Sequence, residues 1–129
     1  MTVPIASDAV VIDSSGWLEY ITADEEADRF APYFEGGMKI IVPVIVLYEV
    51  WKVLLRRQSE TLANVFVSEA LRREVVAIDE NIALTASTLS VRYTLHMADA
   101  LLYATAQSRG ALFVSLDGHF ANLPGVTLV

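Results

Sequence analysis

Five short apolar runs rich in β-branched residues, AVVID (9–13), MKIIVP (38–43), EVVAID (74–79), ALFVSL (111–116) and VTLV (126–129), lack the strict alternation of a half-exposed strand. A strand with no polar face must be covered on both sides, which is the signature of a parallel sheet with helices above and below it. The intervening segments have helical patterning. SSGWLEYI with DEEADRFAPYF forms a first helical region, followed by VIVLYEVWKVLLRRQ, ETLANVFVSEALRR, ENIALTASTLSVRY and ADALLYATAQSRG, the last ending on a glycine suited to a helix stop. Turns are expected at EGG (35–37) and LPG (123–125). Strands alternating with helices, without repeat or linker, predict one α/β domain over residues 1–129.

Composition narrows the function classes. Nine Lys and Arg against sixteen Asp and Glu give a net charge of −7, which argues against coating nucleic acid by bulk electrostatics. A nucleic-acid enzyme remains compatible if a basic strip lies beside an acidic site neutralised by metal. Cysteine is absent, excluding disulfides and thiolate metal sites and fitting a reducing cytoplasm. The start MTVPIASDAV has no basic residue ahead of an apolar run and does not read as a signal peptide, and no stretch reaches the ~18 apolar residues of a membrane span. With 54% hydrophobic residues and a mean hydropathy of +0.46, the chain is apolar enough to leave a face for a partner.

In open α/β sheets, ligands bind outside the carboxyl ends of the strands, where the strand order reverses. Asp13 ends the first apolar run and Asp117 directly follows the fourth. Glu49 interrupts the apolar PVIVLYEVWKVLL, and Asp99 opens ADALLYATA. Each has a plainer role open to it: Asp13 as a helix cap, Asp99 as an acid favoured by a helix dipole, Glu49 as a solvent-facing residue. Taken together, two lie at strand ends and two on helices that follow strands. Carboxylates about 4 Å apart repel by about 4 kcal/mol per pair at an effective dielectric near 20, so a close cluster requires bound cations or raised pKa values. Oxygen-only ligands favour Mg²⁺ or Mn²⁺, and such a site suits phosphoryl chemistry in a nuclease or phosphatase. A haloacid-dehalogenase phosphatase would place a second Asp where Ser15 stands, and a response-regulator receiver would need an acidic pair at the first strand end and a Lys near the last strands; neither pattern is present.

The blocks VVIDSSGWLEY, PVIVLYEVWKVLL, LHMADALLYATAQSRGALFVSLDGHF and LPGVTLV together resemble a PIN domain, specifically the VapC-type ribonuclease toxins of bacterial and archaeal toxin–antitoxin pairs. The most specific part runs from Asp99 through Phe120. The resemblance implies a three-layer α/β/α sandwich with a central, mostly parallel sheet. It also implies a divalent-metal-dependent endoribonuclease that cleaves RNA, forms a homodimer and is held by a cognate antitoxin. The family's four acids fall on Asp13, Glu49, Asp99 and Asp117, which would be catalytic and metal-holding. Ser14 takes the hydroxyl place beside the first acid and Ser115 the one before the fourth, while DGHF varies the commoner acid-rich ending. The alternative from another class is a non-catalytic PIN-like module that binds protein or RNA.

Further residues have narrower expectations. Lys52, Arg56 and Arg57 follow Glu49 at near-helical spacing and either reach phosphates or form a solvated face. Arg72 and Arg73 suit a helix C-terminus, and Asp79 a helix cap away from the acids. His96 and His119 are surface or packing residues or acid–base groups. Trp17, Leu18, Tyr20 and Trp51 belong to the core, or to the apolar groove that the resemblance assigns to an antitoxin.

Overall fold

The computed structural model describes residues 8–129, so residues 1–7 of the expected domain lie outside the described residues. Among the described residues, five strands form one sheet: β1 (Ala9–Ile12), β2 (Lys39–Pro43), β3 (Glu74–Val76), β4 (Leu112–Ser115) and β5 (Val126–Leu128). Their order is β3-β2-β1-β4-β5 and every pairing is parallel. The expected strands are all present, with trimmed ends. The greatest loss is in EVVAID, which pairs only over Glu74–Val76. Its last partner is Pro43, after which β2 turns directly into a helix and offers no further ladder to this edge strand.

Among the described residues, six α-helices cover the sheet: α1 (Ser14–Thr22), α2 (Ala27–Glu35), α3 (Val44–Arg56), α4 (Glu60–Leu71), α5 (Glu80–Tyr93) and α6 (Met97–Ser108). The first helical region divides into α1 and α2 at Ala23, which takes a left-handed conformation and closes α1. Helices α1 to α4 pack on one another, while α5 pairs with α6, which lies against β1, β2 and β4. Right-handed crossovers put the first group on one face and the second on the other, giving the three-layer sandwich. The central strand is wholly inside, with Val10, Val11 and Ile12 at 0% exposure, which is why AVVI has no polar face. Gly16 lets α1 lie this close to β1. A Cβ there would fall 2.6 Å from both Ile12 Cγ2 and Phe30 Cε1.

Among the described residues, no helix is long and apolar enough to cross a membrane. Asp79 caps α5 as expected, its Oδ1 accepting from the Ile82 N–H at 2.8 Å. Arg72 stands at the C-terminus of α4, where its guanidinium meets Glu69 at 3.2 Å. Trp17 is core: it is 1% exposed and packs edge-on against Phe34 and Phe66, so it presents no surface to a partner. Trp51, Leu18 and Tyr20 are only partly buried.

Candidate active site

The strand order reverses at β1. The chain leaves it toward β2 and β3, then returns to add β4 and β5 on its other side, which makes the β1–β4 boundary the switch point. Asp13 follows β1 there and Asp117 lies just past β4. Asp13 stays in the ladder, its N–H donating to the Val114 carbonyl at 3.0 Å, so its side chain is anchored to the sheet edge.

Asp13 does cap α1. Its backbone carbonyl accepts from the N–H groups of Gly16 and Trp17, and Oδ1 accepts from the Ser14 N–H at 2.7 Å. Capping does not exhaust the side chain. Oδ2 accepts from the Ser115 hydroxyl at 2.7 Å, and Ser115 Oγ in turn accepts from the Asp117 N–H at 2.9 Å. On the other flank the Ser14 hydroxyl donates to Glu49 Oε1 at 2.7 Å, tying α3 to the start of α1. Glu49, Asp13 and the loop bearing Asp117 are thereby joined through two buried serines, Ser14 and Ser115. Asp99, in the first turn of α6, enters by charge: it acts electrostatically on Asp13 and is acted on by Asp117 and Glu49. The four acids read from the sequence thus face one region.

The electrostatics follow from burial. Asp13, 7% exposed, has its carboxyl pushed up from 3.8 to about 6, because loss of solvent outweighs the hydrogen bonds from Ser115 and Ser14, and the charges of Asp99 and Glu49 add to the rise. Asp99 is raised chiefly by desolvation and then by Asp117 and Glu49. Asp117 is lowered, mainly by the His119 N–H at 2.9 Å and also by the His119 ring, whose Nδ1 lies 2.7 Å from Oδ1. This His119–Asp117 pairing had no sequence signal beyond the two-residue spacing. His96, at the N-cap of α6, is exposed.

A raised acid destabilises the folded state once ionised. Its stabilising protonated form is fully present below the unfolded value near 3.8 and is lost as pH climbs through about 6. In metal-free protein, the stability advantage of Asp13→Asn over wild type is expected to grow by about 3 kcal/mol across this window and to be flat above it. Urea unfolding of both proteins at several pH values measures the gap; a gap independent of pH would contradict the burial of an ionisable Asp13.

The donor set consists of carboxylate and hydroxyl oxygens, which matches a hard divalent cation in kind. Among the described residues, no three His, Asp or Glu side chains stand close enough together to hold one ion as arranged. Desolvation is the main cause that raises Asp13 and Asp99, and the charges of the neighbouring acids add to it in both.

The PIN domain family model matches residues 10–126. Among curated protein sequences none matches. Several solved structures share the fold. A chain of a toxin–antitoxin complex from Klebsiella pneumoniae is 22% identical with a TM-score of 0.77, covering 92% of this chain and 95% of that one. A chain of DNA-bound VapBC from Salmonella typhimurium is 18% identical with a TM-score of 0.74, covering 94% and 96%. A sarcin-ricin-loop-cleaving VapC toxin from Mycobacterium tuberculosis is 20% identical with a TM-score of 0.72, covering 91% and 96%. With a family match from β1 to β5 and acids gathered at its switch point, the chain belongs to the PIN-domain family.

Proposed function

We propose that the protein is a divalent-metal-dependent endoribonuclease that serves in the cytoplasm as the toxin of a toxin–antitoxin pair. The observation that carries this reading is the hydroxyl-braced line from Glu49 through Asp13 to the Asp117 loop, with Asp99 facing it. Membership of the PIN-domain family and a fold shared with VapC toxins support it.

Asp13, Glu49 and Asp99 would hold Mg²⁺ or Mn²⁺ directly, with Asp117 joining directly or through water. Such a cation supplies Lewis-acid stabilisation of charge on the phosphate and lowers the pKa of an attacking water. The chain's own contribution is positioning. Ser115 fixes Oδ2 of Asp13, and the Ser14 amide fixes Oδ1, so the buried carboxylate has one orientation. Ser14 also sets the rotamer of Glu49, and His119 holds Asp117 at the rim. No covalent nucleophile of the protein is required.

Two apolar surfaces suit the proposed partners. Leu55 is exposed one turn after the half-buried Trp51 on α3, and this pair would meet an antitoxin segment. On the opposite layer, a groove of about 460 Å³ between α5 and α6 is lined by Ile78, Ala86, Val91, Met97 and Leu101, and would meet a second copy in a homodimer.

Structured RNA incubated with purified, partner-free protein is expected to be cut with Mn²⁺ or Mg²⁺ and to remain intact with EDTA. Intact RNA under every metal condition, with RNA or protein binding retained, would leave a PIN-like binding module instead.

A further inference from the structure

The acids of the proposed site differ in how many oxygens their hydrogen bonds leave free. A carboxylate has two oxygens, each with about two lone-pair directions. In Asp13 the donors are divided, the Ser14 N–H on Oδ1 and the Ser115 hydroxyl on Oδ2, so each oxygen keeps one direction open. Glu49 takes the Ser14 hydroxyl on Oε1 alone. In Asp117 both donors fall on one oxygen: the His119 N–H reaches Oδ1 at 2.9 Å and the ring Nδ1 lies 2.7 Å from the same atom, while Oδ2 has no donor among the described residues. Facing an acceptor-only carboxylate, Nδ1 carries the ring proton. Oδ1 is thereby filled, and one oxygen of Asp117 remains to face a cation.

The His119 ring is exposed, and its place is set by the turn beneath it. Ser115 and Phe120 are both buried and bracket the segment. Ser115 Oγ accepts from the Asp117 N–H at 2.9 Å, and the Phe120 ring packs edge-on against Phe113 with centroids 4.7 Å apart. Between these anchors runs the 3₁₀ turn Gly118–Phe120, capped by Asp117 itself. His119 therefore projects from a turn pinned at both ends, with its ring folded back onto the cap. Of Asp13, Asp99 and Asp117, only Asp117 is held below its ordinary value, first by the His119 N–H and then by the ring. His96 acts on Asp99 and Asp117 by charge alone.

A bidentate carboxylate turns both oxygens to the ion, which Asp117 can do only by giving up both bonds from His119. Ca²⁺ takes about six to eight oxygens in flexible geometry and accepts bidentate carboxylates, whereas Mg²⁺ demands octahedral angles, which the narrow bite of a bidentate carboxylate does not fit, and keeps several waters. We propose that His119 is a positioning residue that confines Asp117 to one oxygen, Oδ2, and so biases the site toward Mg²⁺ over Ca²⁺. The proposal rests on the cation-site part of the proposed function, and it gives the histidine of DGHF a role in choosing the ion.

Calorimetric titrations of Mg²⁺ and of Ca²⁺ into the full chain, at neutral pH and without RNA, test it. Wild type is expected to bind Mg²⁺ more tightly than Ca²⁺. His119→Ala is expected to weaken Mg²⁺ binding by ~10- to 100-fold, the range for removing the hydrogen-bond partner of a metal ligand, while Ca²⁺ affinity holds or rises, so the preference shrinks by at least ~10-fold. His119→Asn, whose amide can donate from the place of Nδ1, should recover much of the preference, and His96→Ala, which takes away a ring that does not touch Asp117, should leave it as in wild type. Both histidines are exposed, so melting temperatures without metal should stay within a few degrees and certify the folds. An unchanged ratio of the two affinities in His119→Ala would overturn the proposal: equal losses would mark a merely structural role, and equal gains a role of charge. No recovery in His119→Asn, or an equal shift in His96→Ala, would overturn it as well. Wild type that binds both ions equally would remove the bias and leave the cation site standing, whereas wild type that binds neither would remove the cation site and the proposal together.

Discussion

Asp13→Asn is expected to reduce RNA cleavage by at least ~10³-fold while raising the melting temperature of metal-free protein by roughly 5 °C or more. The two effects have opposite signs because the carboxylate is costly to the fold and, in the proposed function, needed by the chemistry. Loss of solvent, with the charges of Asp99 and Glu49 added, lifts the carboxyl to about 6, so at neutral pH the ionised side chain costs about 3 kcal/mol relative to solvent. Asparagine keeps one oxygen to accept from the Ser14 amide, and Ser115 can rotate its hydroxyl to accept from the new amide group. Most of the electrostatic cost is then removed for a small loss of hydrogen bonding. Several kcal/mol of transition-state stabilisation disappear with the anionic oxygen, which is the origin of the ~10³-fold loss. If capping were the whole role of Asp13, asparagine would cap almost as well and cleavage would survive. Melting without metal and RNA cleavage with Mn²⁺ together separate the two accounts.

Trp17→Ala is expected to destabilise the protein by about 3–5 kcal/mol and lower its melting temperature by more than ~10 °C. The indole fills the junction of α1, α2 and α4, with ring centroids 4.8 Å from Phe34 and 5.5 Å from Phe66. Its truncation leaves a cavity in the layer that holds Ser14 and Glu49 in register. The buried Nε1 has no hydrogen-bond partner, so Trp17→Phe forfeits no hydrogen bond and should cost far less than the alanine change. Trp51 is only partly buried, and Trp51→Ala should act mainly on partner binding. Urea unfolding of the three variants tests this ordering; equal, small losses would contradict the burial of Trp17.

The layer architecture is legible in the sequence because each apolar run lacks a polar face, and the acids are legible because each interrupts or ends an apolar pattern. Asp13 and Asp117 can be placed at one sheet edge from strand ends alone. The bond from Ser14 to Glu49 cannot. It joins residues 35 apart and depends on how α1 and α3 pack, which periodicity does not encode. The link from Ser115 to Asp13 spans 102 residues and exists only because β4 returns to lie beside β1. The two tryptophans are indistinguishable by pattern, since both lie on amphipathic helices; the tertiary packing of Phe34 and Phe66 buries one and leaves the other half open. The end of β3 falls short of its apolar run because an edge strand stops where its neighbour stops, at Pro43, whatever its own propensity.

The central claim is that these acids form a divalent-cation site, and calorimetric titration of Mn²⁺ into wild type and Asp13→Asn at neutral pH tests it most directly. Saturable binding to wild type is expected, together with a higher melting temperature that at a hundredfold excess over the dissociation constant corresponds to about 2.7 kcal/mol, and with binding much weakened in Asp13→Asn. Absence of Mn²⁺ binding by wild type, or equal binding by both proteins, would contradict it.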